Sequence, residues 1–361
     1  MSKSLDVAAI KKDFPIFERT IRDGQRLVYL DSGATAQKPN SVIDAELNFY
    51  RTSNAAVHRG AHQLAEEATE NFENARSIVA EFIGATSDQI VFTKSATESI
   101  NLVAYALTEK IKPGDRIVVS EMEHHANLIP WQELAKRTGA ELVWLSVTDE
   151  GRLDLTNAEV IINSKTKVVA LTHQSNVLGT INPINEIAKF VRAVGAHFVL
   201  DACQSVPHYA VDVKSLDVDF IAFSGHKMLG PTGVGVLWGK QELLDEMPPF
   251  LTGGSMIETV TMESATYLPA PKRFEAGVPN MAQAVGLAAA IDYLNKVGLE
   301  NIHLHEVALT RACIAELSRI PQLKIVGPGL FNTLFKRKLC VRTNDEDKTK
   351  VTLVKELSEI S

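Results

Sequence analysis

Asp219–Gly239 reads DFIAFSGHKMLGPTGVGVLWG. Two apolar runs, Asp219–Phe223 and Gly233–Trp238, are separated by a polar turn that begins Ser224-Gly225-His226-Lys227. Neither run alternates apolar with polar residues, the pattern of strands covered on both faces. An ammonium group at the end of such a strand is costly to bury unless it is neutralised, paired or used covalently. The competing reading of Lys227 is an exposed loop lysine beside a glycine turn.

Upstream, similar runs recur at Gln89–Thr93, Arg116–Ser120, Glu141–Val147, Lys167–Thr172 and His197–Asp201. Helical patterns at Thr97–Leu107, Ile129–Thr138 and Ile184–Val194 lie between them. Strand, helix and strand in succession require crossovers. The expectation is an α/β fold, with a mainly parallel seven-stranded sheet covered by helices on both faces. Beyond Gly239 the pattern changes. Pro and Gly become frequent between Met247 and Pro279, and helical stretches follow at Met281–Val297 and Glu300–Ile320. Three units are expected: an N-terminal segment (1–26) packing on a small domain, a large domain (27–265), and a small α/β C-terminal domain (266–361) that looks shortened.

The composition of the 361 residues is ordinary for a globular protein, with 45% hydrophobic and 22% charged residues. A net charge of −7 argues against a nucleic-acid surface, which needs a basic excess or stripe. No apolar run approaches the roughly 18 residues that span a bilayer. The N-terminus, MSKSLDVAAIKKDFPIF, shows no continuous apolar segment of the secretory kind. A cytoplasmic protein is expected, without membrane or nucleic-acid partners. Cys203, Cys313 and Cys340 are too widely spaced for a disulfide framework or metal site and read as small buried hydrophobes.

In open α/β sheets ligands bind beyond the carboxyl ends of the strands. Five strand ends carry chemistry. A Schiff base between Lys227 and an aldehyde cofactor would remove the cost of burying its charge. Asp201 can pair with a protonated pyridine nitrogen, or cap a helix, and Gln204 can donate to a ring phenolate oxygen. Ser95-Ala96-Thr97-Glu98 opens a helix at about Thr97, where backbone N–H groups and the Thr97 hydroxyl can cradle an anion; Thr97 would serve equally as an N-cap. His124, in Glu123-His124-His125-Ala126-Asn127, can stack on an aromatic ring and act as acid or base. Asn176 can reach a ring oxygen, or simply hold a turn before Gly179. His58 and His62 have the spacing of a helical zinc pair, but no Glu or Cys ligand accompanies them, so no metal is expected.

These stretches resemble the class V, fold-type I pyridoxal-phosphate (PLP) enzymes, in particular the cysteine desulfurase and selenocysteine lyase group of sulfur-mobilising enzymes. The similarity runs in family order through YLDSGATAQKP, AVHRGAH, EMEHHANLIPWQ, THQSNVLGT, LDACQSV, FSGHKMLGPTGVGVLWG, GGSMI and RFEAGVPN. The resemblance implies PLP held by Lys227, with His124 stacked on the ring and helping to deprotonate. It implies Asp201 at the ring nitrogen, and Gln204 and Asn176 near the ring oxygen and the substrate carboxylate. Ala96, Thr97, Ser224 and His226 would bind phosphate, and His58 and Arg59 would lie near the substrate mouth. It further implies a homodimer that takes sulfur or selenium from L-cysteine or selenocysteine and leaves alanine. A protein thiolate would carry the sulfur to an acceptor protein for iron–sulfur cluster assembly.

The sequence departs from that pattern twice. Val278 stands where the family has Thr in RFEAGTPN, a loss of one phosphate contact that costs about 1 kcal/mol. The C-terminal stretch GPGLFNTLFKRKLCVRTNDEDKTKVTLVKELSEIS lacks the expected VRTGHHC. Cys340 lies in the right region but matches no family position, and Arg337 falls near the carboxylate-binding arginine on one placement. Three readings follow: a desulfurase by descent, a PLP lyase or transaminase that needs no protein thiol, and an inactive homologue. The retention of Lys227 argues against the last.

Overall fold

The computed structural model describes residues 5–323 and 325–328. The strands are β1 (Ile90–Thr93), β2 (Arg116–Ser120), β3 (Glu141–Leu145), β4 (Thr166–Thr172), β5 (His197–Asp201), β6 (Phe220–Ser224) and β7 (Gly235–Gly239), with a small hairpin of β8 (Ile257–Val260) and β9 (Ala265–Tyr267). The helices are α1 (Val7–Lys12), α2 (Asn40–Thr52), α3 (Gln63–Phe82), α4 (Ala96–Ala106), α5 (Ile129–Thr138), α6 (Ala158–Ile161), α7 (Ile184–Ala193), α8 (Gln241–Glu246), α9 (Met281–Val297) and α10 (Leu299–Leu317).

β1 to β7 form one sheet in the order β1-β7-β6-β5-β4-β2-β3. Six strands run parallel, and β7 alone is antiparallel, paired with β1 on one side and β6 on the other. Successive residues of the central strands enter two different cores, as strand geometry requires. Val169 and Leu171 of β4 join one core with residues of α3, α7 and α9. Val168 and Ala170 join the other with residues of α4, α5 and α8. Each fully buried aliphatic or aromatic side chain here contributes about 1.5–3 kcal/mol. The helices follow the same logic: α7 buries Ile184, Ile187, Ala188 and Val191, spaced to form one face. The N-terminal segment packs on α9, where the Tyr293 hydroxyl donates to Asp13 Oδ2 at 2.6 Å and Phe14 meets the Tyr293 ring edge-on.

The seven expected strands and five expected helices all form; β2, β5, α5 and α9 keep the expected bounds and the others shift at an end. β1 starts at Ile90 because Gln89 closes a capping box with Thr86. β3 stops at Leu145, and Val147 makes only an isolated bridge to Leu153. β7 starts two residues late because Gly233 turns through φ +79°. The β8–β9 hairpin was not anticipated, since its IETV and ATY runs are short and largely exposed.

Register brings the chemistry to one end of the sheet. Thr172 pairs with Asp201, and Asp201 with Ala222, so the carboxyl ends of β4, β5 and β6 line up. β7 meets the start of α4 without a gap: a Cβ on Gly235 would sit 2.5 Å from the Ser95 Cα and carbonyl carbon. Backbone cannot yield as a side-chain end can. Gly235→Ala is therefore expected to lower stability by about 1–3 kcal/mol in urea unfolding; an unchanged midpoint would mean that α4 has room to move.

Candidate active site

A cavity of about 280 Å³ opens at this end of the sheet, lined by residues from six separate segments. Its walls include Ala96, Thr97, His124, Asn176, Asp201, Ser224, His226 and Lys227. Eight of the candidate residues thus share one space, although they span more than a hundred positions of sequence. Asp201 and Ser224 are buried, whereas Thr97 and His124 are exposed.

Asp201 ends β5 and is 4% exposed. It caps no helix: its Oδ1 accepts from the Cys203 N–H at 2.9 Å in a turn. No salt bridge reaches it among the described residues. A buried carboxylate without a cation is expensive, so a cationic partner in the cavity fits it.

On another segment of the wall, α4 starts one residue before the expected Thr97. Ser95, not Thr97, caps α4; its extended backbone lets the hydroxyl accept from Glu98 N–H. The first turn therefore lies at Ala96–Thr97, facing the cavity. The Ala96 N–H donates to Ser224 Oγ at 2.9 Å, which joins β6 to this anion-favouring end. His226 lines the same cavity. Burial, reinforced by the charges of Lys227 and Lys38, pushes its imidazole down to about 4, so the ring is neutral near pH 7. A neutral ring can give or accept a hydrogen bond without repelling Lys227.

Lys227 ends a single 3₁₀ turn, Gly225–Lys227, immediately after β6. Its amine makes no side-chain hydrogen bond or salt bridge with the described residues. The turn itself is held from the other side. The His226 carbonyl accepts from the Ala36 N–H at 2.8 Å, the Thr35 hydroxyl at 3.2 Å and the Lys38 amine at 3.4 Å. Lys38 also donates to the Ala36 carbonyl, and burial pushes its amine down to about 8. His124 precedes a 3₁₀ turn at His125–Asn127, and its Nδ1 accepts from the Ala126 N–H at 3.1 Å. In the neutral ring the proton then sits on Nε2.

Three expected residues lie elsewhere. Gln204 is one layer back, donating to the Gly33 carbonyl at 2.9 Å and so bracing the loop that forms the cavity wall. His58 is held by Glu73, with Nε2 and Oε1 2.7 Å apart, and Arg59 lies against Gly254. Neither belongs to the cavity wall. His58 and His62 do not share a helix, since His62 caps the start of α3. Among the described residues no cluster of three or more His, Cys, Asp or Glu is placed to hold a metal, and no helix is long and apolar enough to cross a membrane. Arg337 and Cys340 lie outside the described residues.

Sequence reasoning assigned no role to Gly33 and Ala34, which line the cavity, or to Thr35 and Lys38, which brace it. This loop follows no strand and works partly through its backbone. The dense DSGATAQKP run, with Gly and Lys close together, was the available signal. Cys203 also lines the cavity, but burial, with the Asp201 charge adding to it, pushes its thiol up to about 12. Burial likewise raises the Cys313 thiol on α10.

The donor set matches PLP: an unpaired carboxylate for a pyridinium, an N-terminal helix turn with two polar side chains for a phosphate, an exposed imidazole at the mouth and an unengaged lysine amine. Residues 28–334 match the family described as Aminotransferase class-V. A probable cysteine desulfurase of Streptomyces coelicolor is 56% identical over 330 residues, covering 90% of this chain and 79% of its own length. A probable cysteine desulfurase of Mycobacterium leprae is 57% identical, covering 90% and 78%. The apo structure of a cysteine desulfurase from Thermococcus onnurineus superposes with a TM-score of 0.87 at 40% identity, covering 100% of this chain and 88% of that one. The chain therefore belongs to the class V aminotransferase family of PLP-dependent enzymes, within its cysteine desulfurase group.

Proposed function

We propose that this chain uses PLP in the cavity at the ends of β4, β5 and β6 to take sulfur from L-cysteine, with the residues above in defined roles. The observation that carries the reading is the gathering of Asp201, Lys227, His124 and the start of α4 around one space. Bound PLP supplies an electron sink for a substrate joined to it. Asp201 holds its ring nitrogen in the protonated form that makes the sink effective. Ala96, Thr97, Ser224 and His226 bind the phosphate, so the ring is fixed at its far end. Lys227 would hold the cofactor's aldehyde end, and its amine would move the proton at the substrate α-carbon. His124 covers the exposed ring face and assists that proton transfer. Asn176 reaches the ring oxygen and the substrate carboxylate, while Gln204 acts through the Gly33 loop.

Other parts of the reading rest on the family. The protein acts as a cytoplasmic homodimer, with RFEAGVPN reaching the partner's phosphate site; Val278, 70% exposed, is in keeping with a surface that a partner covers. The sulfur passes to an acceptor protein for iron–sulfur assembly, and selenocysteine is an alternative substrate. His58 and Arg59 bound the substrate mouth in the assembled dimer. The sulfur-accepting thiolate is not Cys203, because a thiol raised to about 12 is protonated at neutral pH and protonated thiols are poor nucleophiles. That observation also favours a second reading, a lyase whose leaving group departs without attack by a protein thiol.

Two measurements test these roles. Borohydride reduction of the PLP-loaded chain should fix a PLP mass adduct on the tryptic peptide containing Lys227, and the chain should form alanine from L-cysteine. Lys227→Ala should abolish both; an adduct at another lysine, or alanine formation by the variant, would refute the assignment. Brief iodoacetamide treatment of the folded chain near pH 7 should leave Cys203 unmodified by peptide mass spectrometry. Rapid labelling would mean that its thiolate is accessible and would restore it as a candidate.

A further inference from the structure

Glu123 immediately precedes His124, and its carboxyl group turns inward. Three buried residues meet it. The Ser120 hydroxyl, at the end of β2, lies 2.5 Å from Oε1. The Thr172 N–H, at the end of β4, donates to the same oxygen at 3.0 Å. The Asn127 side-chain amide donates to Oε2 at 2.6 Å. Asn127 cannot turn over, because its Oδ1 already accepts from the Trp131 indole N–H at 3.0 Å. Asn127 also closes the turn that carries His124, its backbone N–H donating to the His124 carbonyl at 2.8 Å. His124 is thus bracketed by two residues bonded to each other.

The polarity of this network is fixed. Asn127 and Thr172 both present donors, so both carboxyl oxygens of Glu123 must accept; only the Ser120 hydroxyl can take either role. A glutamine of the same shape would have to aim its NH₂ at one of the two donors, leaving a buried clash of like polarity. The site therefore specifies a carboxyl group and not merely a polar side chain. Burial, with Asp201 adding to it and the three hydrogen bonds opposing, pushes the carboxyl up to about 8. A proton on Oε1 can be given to Ser120, so both protonation states fit.

We infer that Glu123 is a positioning residue that clamps the His124 turn between the ends of β2 and β4 and the start of α5, and so sets where the imidazole meets the cofactor ring. The inference rests on the reading of His124 as the residue covering that ring.

The clamp makes an unusual prediction, because its polarity can be reversed. In the PLP-loaded full chain, Glu123→Gln should weaken PLP binding about tenfold and diminish the circular dichroism induced in the cofactor's visible band. Adding Asn127→Asp gives the newly introduced amide an acceptor and still accepts from Trp131. The double variant should recover PLP affinity to within a few-fold of the parent, together with the dichroism. His124→Ala is the control for the underlying reading and should lose the dichroism as well. If Glu123→Gln lowers only the melting temperature, with affinity and dichroism unchanged, or if Asn127→Asp fails to rescue it, Glu123 is structural and the inference falls. If His124→Ala leaves both cofactor readouts intact, the reading of His124 fails and takes the clamp's purpose with it.

Discussion

Asp201 sits at the end of the central strand β5 with a 4% exposed carboxylate and no salt bridge to any described residue. Two other inaccessible carboxylates are paired with cations. Asp219, equally inaccessible, is met by Arg192 and Lys240, and Glu275 by Arg76. These ion pairs hold their segments in place, and hydrogen bonds together with Arg192 and Lys240 keep the Asp219 carboxyl low against the opposing effect of burial. Asp201 has the burial without such a pair. A cation bound from outside is the simplest way to offset that cost, and the rest of the site lines the same cavity.

The other walls follow from the sheet. β7 runs antiparallel between β1 and β6, and Gly235 lets it lie directly on the Ser95 backbone. That contact fixes the N-terminal turn of α4 beside Ser224, giving an anion-favouring helix start in the same cavity as the carboxylate. Lys227 is placed by the turn after β6, and that turn is pinned through the His226 carbonyl by the Thr35–Lys38 loop. Asp201 and Lys227 are therefore carried on separate elements and form no salt bridge with each other. This separation is what a cofactor with a cationic ring and an anionic phosphate requires.

Much of this was legible in the sequence. Apolar runs without alternation mark the seven strands, and the rule that ligands bind beyond parallel strand ends points to Asp201, His124, Asn176 and Lys227, which the fold brings to one cavity. What the sequence did not disclose depends on contacts between distant segments. The α4 cap moved from Thr97 to Ser95 because a serine hydroxyl on extended backbone reaches the third N–H, and both residues are good caps by type. Gln204 proved to brace Gly33, a backbone contact that no residue pattern encodes. The DSGATAQK loop carries the resemblance, but its residues take no individual role from the strand-end rule because the loop follows no strand. His58 and Arg59, expected near the substrate, belong to other contacts in the single chain.

The cysteines divide the account into a cofactor site and a sulfur-transfer step. Cys203 lines the cavity with a thiol that burial pushes up to about 12, while Cys340 lies outside the described residues. The cofactor site rests on Asp201, and its charge can be read directly. With ¹⁵N-labelled PLP bound to the full chain, the ring nitrogen should show the chemical shift of a protonated pyridine near neutral pH, and Asp201→Asn should move it to the unprotonated value. An unprotonated ring nitrogen in the parent protein, or a shift indifferent to Asp201→Asn, would contradict the account.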